Sequence, residues 1–114
     1  HCISAYPTKE TDANLNAIIE LRKEFKCIIG QSDHTNDIKI PFLAVAAGAQ
    51  VIEKHYKIDE KMQCVDSSVS ISQQQMSQLI IKIRELEKIL GDGKFGLKDA
   101  EKQTEQFRRF TKIK

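Results

Sequence analysis

Apolar and polar residues along this chain come in blocks, and the blocks predict strand, helix, strand, helix, strand, helix. His1-Cys2-Ile3 opens as a strand. Thr11 or Asp12 then caps a helix whose inner face is Leu15, Ile18, Ile19 and either the stem of Arg22 or Phe25. A second strand is expected at Cys27-Ile28-Ile29-Gly30. Ile38 to Ala47 is apolar almost throughout, with Pro41 near its first turn and Gly48 just past its end, the asymmetry expected of a helix. The third strand follows at Ala49-Gln50-Val51-Ile52, and residues 57–70 form a polar loop. Ser72-Gln73-Gln74-Gln75 fits a capping box that opens a helix to Leu90. Its stripe is Leu79, Ile80, Ile83, Leu86, Ile89 and Leu90, and Gly91-Asp92-Gly93 stops it. Lys94 to Lys114 is charged and weakly periodic. It reads as a surface connector rather than as a phosphate contact through Arg108-Arg109-Phe110.

Strand–helix alternation with short connections implies a right-handed parallel α/β arrangement. Three strand–helix units are too few to close an eight-stranded barrel. Periodicity alone leaves open part of such a barrel or a three-stranded piece of an open doubly wound sheet. The 114 residues have room for one small domain. The start at His1, inside a strand pattern, reads as a segment cut from a longer polypeptide. No GxGxxG or GxxxxGK[ST] is present, so a nucleotide cradle has no support.

Charge and cysteine content narrow the partners. Eighteen Lys and Arg interleave with 16 Asp and Glu for a net charge of +2, which leaves no electrostatic footprint for nucleic acid. No apolar stretch approaches the ~20 residues that span a bilayer, and no basic-then-apolar leader is visible, so no membrane contact is expected. Cys2, Cys27 and Cys64 are odd in number and lack CxxC spacing. Reduced thiols in a cytoplasmic protein are the expectation, with Cys2 and Cys27 packed as small apolar residues.

The candidate chemistry lies at the strand ends. His34, in Gln31-Ser32-Asp33-His34-Thr35, and His55, in Val51-Ile52-Glu53-Lys54-His55-Tyr56, each follow a predicted strand and stand 21 positions apart. Parallel α/β enzymes build their sites at the carboxyl ends of strands, and neutral imidazole is the commonest protein ligand for a divalent metal. The pair therefore reads as two metal ligands. Asp33 and Glu53 flank them as acceptors able to orient the rings.

Three blocks carry a resemblance: His1-Cys2-Ile3-Ser4-Ala5-Tyr6-Pro7-Thr8, Gly30-Gln31-Ser32-Asp33-His34-Thr35 and Val51-Ile52-Glu53-Lys54-His55-Tyr56. With Asp66-Ser67-Ser68-Val69-Ser70 downstream, their order and spacing resemble the nonulosonic acid synthase family, which includes sialic, legionaminic and pseudaminic acid synthases. The resemblance runs from residue 1 to about residue 110. It implies the last three βα units of a TIM-type (β/α)8 barrel, incomplete as given, over residues 1–90, with 91–114 a connector toward a missing C-terminal domain. It also implies condensation of phosphoenolpyruvate with an N-acetylated hexose, giving a nine-carbon α-keto acid and phosphate. In that scheme His34 and His55 hold Mn2+ or Mg2+, Ser32 and Ser4 bind phosphoenolpyruvate, and Asp66 and Tyr6 bind the sugar.

The resemblance further implies a homodimer at full length. It puts the catalytic glutamate base and the phosphate-gripping lysine, threonine and serine on earlier strands, outside this chain. Many sialic-type members carry Pro-Asp-His where this chain has Val65-Asp66-Ser67, and Asp-Ser is nearer the pseudaminic-type pattern, so the sugar's stereochemistry stays open. Two other readings compete. One is a stand-alone small α/β metal-binding or oligomerising module without catalysis. The other is a different aldolase-type barrel with another substrate.

Overall fold

The computed structural model describes residues 1–108; Arg109 and Phe110 of the Arg108-Arg109-Phe110 patch lie outside them. After a 3-10 turn at Glu10–Asp12 come helix α1 (Asn16–Glu24), strand β1 (Gly30–Asp33), helix α2 (Lys39–Ala46), strand β2 (Val51–Lys54) and helix α3 (Gln73–Leu90). A second 3-10 helix spans Asp99–Phe107. The chain is thus mixed α/β, and none of its described helices is long and apolar enough to cross a membrane.

β1 and β2 pair in parallel, with Gly30 opposite Val51 and Asp33 opposite Lys54. Both begin two or three residues later than the apolar runs suggest. Ile28 and Cys27 are exposed, while polar Gln31 and Asp33 are buried within the ladder. Those polar groups are tolerated because nearly all find partners, as burial requires. The ladder therefore ends at Asp33 and Lys54, immediately before His34 and His55.

The opening strand shrinks to one parallel bridge, Cys2 with Ser32. The Ser32 amide donates to the His1 carbonyl (2.9 Å). Beyond Ile3 the chain turns over the end of β1. The Thr8 hydroxyl donates to the carbonyls of Ile3 and Ala5, and the Thr8 amide donates to the His34 carbonyl (2.8 Å). That turn leaves no length for a longer ladder. Cys2 and Cys27 are exposed rather than packed.

Neither Thr11 nor Asp12 caps α1. The two side chains bond each other, Asn14 takes a positive φ of 45°, and Leu15 stands at the N-cap without a side-chain bond. Ile18 is fully buried with Ile29, Ala44 and Ala49, and Leu15, Leu21, Ala47 and Ile52 pack against that cluster. Ile19 and Phe25 remain exposed. α2 matches its expected span to within a residue at each end and packs on both strands and on α3.

The loop after β2 is less polar in effect than its composition. Val69 and Ile71 are completely buried, and Ile71 exchanges backbone bonds with His55 and Lys57. The capping box at Ser72 and Gln75 forms as expected. In the α3 stripe Leu79 is buried and Ile83 and Leu86 half-buried, but Ile80, Ile89 and Leu90 are exposed. α2 packs against α3, and Leu79 is the one residue of α3 buried among those described, so a narrow face is covered. The radius of gyration is 19.2 Å. A compact chain of this length would have about 13 Å.

Candidate metal and substrate site

The equal length of the two ladders brings the two imidazoles together. The His34 and His55 ring centroids are 5.3 Å apart. Tyr6, carried over the strand end by the turn at Thr8, stacks on His34 at 4.0 Å and meets His55 edge-on at 5.9 Å. Asp66, from the loop after β2, places Oδ2 3.5 Å from His55 Nδ1.

The His34 imidazole is hydrogen-bonded through one nitrogen. His34 is 5% exposed, and its Nδ1 lies 2.9 Å from the Ile3 carbonyl oxygen. A carbonyl only accepts, so Nδ1 carries a proton, and in the neutral ring Nε2 is then the nitrogen with a lone pair to offer. His55 Nδ1 has the Asp66 carboxylate at ion-pair distance rather than at that of the His34 hydrogen bond. Binding one ring nitrogen to a carbonyl or carboxylate while the other faces a metal is the usual arrangement of a histidine ligand. Two imidazoles on one ion at ~2.1 Å, with a right or tetrahedral angle between them, put ring centroids roughly 4.6–5.3 Å apart. The donor set therefore fits a divalent ion held by two protein ligands. Among the described residues no group of three or more His, Cys, Asp and Glu is placed to hold one.

Ser32 lies two residues before His34, opposite Glu53, and its hydroxyl donates to Glu53 Oε1 at 2.6 Å. Ser4 is exposed and follows Ile3, the residue whose carbonyl holds His34. Thus Tyr6, His34 and His55 meet directly, Asp66 adjoins His55, Ser32 precedes His34 along the chain, and Ser4 is tied to them only as the chain neighbour of Ile3. Asp33 and Glu53 do not orient the imidazoles: Asp33 bonds Lys54 and Thr35, and Glu53 bonds Ser32.

Three participants escape a motif search. The Ile3 carbonyl has no side-chain signature, and Cys2, whose Sγ is 3.8 Å from His34 Nδ1, looks like a strand filler. The third is Lys54, whose ammonium pairs with Asp33 at 2.7 Å with both side chains 1% exposed. A signal for it was present, since residues of opposite charge immediately precede the two histidines. An open groove of about 570 Å³ runs along α1 past Ala17, Leu21 and Phe25, away from the histidines.

Comparison with known proteins gives a consistent set of relatives. An N,N'-diacetyllegionaminic acid synthase of Campylobacter jejuni is 42% identical over 93 residues, which is 82% of this chain and 28% of that protein. A pseudaminic acid synthase of Campylobacter jejuni is 38% identical over 108 residues, 95% of this chain and 32% of that protein. The crystal structure of an N-acetylneuraminic acid synthetase from Leptospira borgpetersenii superposes with a TM-score of 0.91 at 42% identity, covering 95% of this chain and 38% of that one. The chain thus spans about a third of the length of the relatives it matches. The profile of the NeuB family matches residues 1–95. On that match, and on the relatives that agree with it, the chain belongs to the NeuB family.

Proposed function

We propose that this chain is the part of a nonulosonic acid synthase that carries its two metal ligands, and that it supplies the last three βα units of a (β/α)8 barrel. The parent enzyme condenses phosphoenolpyruvate with an N-acetylated hexose. The enol carbon forms a C–C bond to the sugar's aldehyde carbon, water adds to the resulting cationic carbon, and phosphate leaves by C–O cleavage. His34 and His55 hold Mn2+ or Mg2+ through Nε2. Such an ion supplies Lewis-acid polarisation of the aldehyde oxygen. The observation that carries the reading is the pair of imidazoles 5.3 Å apart, with His34 Nδ1 bonded to the Ile3 carbonyl and His55 Nδ1 3.5 Å from Asp66 Oδ2.

The chain's other residues bind and orient. Tyr6 offers a half-exposed ring face beside both imidazoles, suited to the apolar side of a sugar. Asp66 is partly exposed and accepts sugar hydroxyls while it faces His55. Ser32 and Ser4 bind phosphoenolpyruvate. The single Ser32 proton is given to Glu53 in the free protein, so Ser32 must rotate before it donates to that anion. The connector role for 91–114 and the homodimer belong to the same proposal.

Calorimetric titration of the full-length protein with manganese tests the metal assignment. Binding should collapse in both His34→Ala and His55→Ala, and binding that survives both substitutions rejects it. Product mass after incubation with phosphoenolpyruvate and a panel of N-acetylated hexoses identifies the sugar. No product of the summed carbon skeleton with any of them rejects the synthase reading.

A further inference from the structure

We infer that the buried Asp33–Lys54 pair is the positioning element of the histidine site: it clamps the backbone on both sides of His34 to the strand that carries His55. The inference rests on His34 and His55 acting as the ligands, but its geometry stands without a metal. Asp33 and Lys54 are opposite each other on the last rung of the parallel ladder, and the histidines are the next residue of each strand. Side chains alternate faces along a strand, so the pair lies on the other side of the ladder from Ser32 and Glu53.

The Lys54 ammonium donates to two acceptors, Asp33 Oδ2 at 2.7 Å and the Thr35 carbonyl. These belong to the two residues that flank His34. Asp33 Oδ2 also accepts from the Thr35 amide (3.2 Å) and hydroxyl (2.7 Å), closing a tight turn around His34. Gln31 Nε2 approaches Asp33 Oδ1 at 3.3 Å. The peptide bearing His34 is therefore held from both sides by the strand that bears His55. That hold sets the ring where Nδ1 reaches the Ile3 carbonyl and leaves Nε2 for a ligand.

Buried ion pairs generally add little net stability, because desolvating two charges offsets their attraction, and apolar replacements of similar volume are often neutral. A pair kept for stability and a pair kept for geometry therefore behave differently when it is neutralised. The test uses the metal-free full-length protein and long-range proton–nitrogen spectra of its histidine rings. Wild type should show one ring fixed as the Nδ1–H tautomer, assigned by its disappearance in His34→Ala. In the double variant Asp33→Asn with Lys54→Met that signal should become a tautomer mixture, with melting within roughly 5 °C of wild type. Manganese affinity should fall about tenfold to a hundredfold, the usual effect of losing support behind a ligand.

A folded double variant with the ring still fixed overturns the inference. If the double variant does not fold, Thr35→Val decides, since it removes one bond to Asp33 and keeps both charges paired. A partial shift toward the mixture supports the clamp, and a spectrum identical to wild type overturns it. Should wild type bind no manganese, the metal reading falls while the tautomer still decides the clamp.

Discussion

Gly30 is the residue on which the meeting of the two strands depends most simply. A Cβ added there would lie 2.8 Å from the Val51 carbonyl oxygen and 2.9 Å from Val51 Cβ. The obstacle is backbone, so it cannot swing aside. Gly30→Ala should spread the first rung of the sheet and destabilise the protein by about 1–3 kcal/mol, the usual range for overpacking. Chemical denaturation of the full-length protein measures it, and an unchanged midpoint would show that the strands separate freely there. At this scale the sequence was informative about identity and silent about partners. His34 and His55 stand out by type and spacing, Tyr6 and Asp66 only through the family resemblance, and the structure brings them together. Asp33 and Glu53 are able to orient the rings by position in sequence but do not, because a residue next to a ligand in a strand points away from it and a residue two before it has its own cross-strand neighbour.

Among the elements, α3 follows its signals best at its start. The Ser72 amide donates to Gln75 Oε1 at 2.9 Å, and the Gln75 amide donates to Ser72 Oγ at 3.3 Å. Ser72→Ala removes that hydroxyl acceptor and should cost about 1 kcal/mol, seen as a lower denaturation midpoint at constant m-value. No loss would mean that the backbone bonds of Ile71 alone fix where the helix begins. The strands were harder to place. Strand propensity favours Cys27–Gly30 and Ala49–Ile52, but the ladder is set by hydrogen-bond pairing and runs on into Gln31, Asp33 and Lys54. A periodicity argument misses buried polar residues because their burial depends on partners distant in sequence. Val69 and Ile71 were hidden for the converse reason, as two apolar residues in a serine-rich segment with no repeat around them.

As a whole molecule the chain is extended, 64 × 32 × 24 Å, with large apolar side chains such as Ile28, Val51, Ile58 and Ile81 uncovered among the described residues. Exposed apolar surface on this scale is a site of association. The 114 residues expressed alone should therefore self-associate, and their phosphate release with both substrates and manganese should not exceed the metal-only blank. The resemblance puts the base and the phosphate grip outside this chain. Losing one preorganised charge-stabilising donor already removes about a hundredfold or more in rate. Turnover above the blank would show the site to be complete within these residues. Sedimentation as a single 13.0 kDa species would reject the association.

The charge order along β2 has a consequence for how the sheet assembles. Glu53 and Lys54 alternate beneath His55, and Ser32 and Asp33 answer them in the native register. If β2 slid one residue so that Glu53 met Asp33, two carboxylates would face each other in the interior. Slid the other way, His55 would meet Asp33 and the Lys54 ammonium would lose its carboxylate. A one-residue slip also turns every side chain to the wrong face of a strand. Misalignment is thus penalised twice, by burial and by charge. The residues that hold the histidines in the finished protein also proofread the strand pairing that creates them.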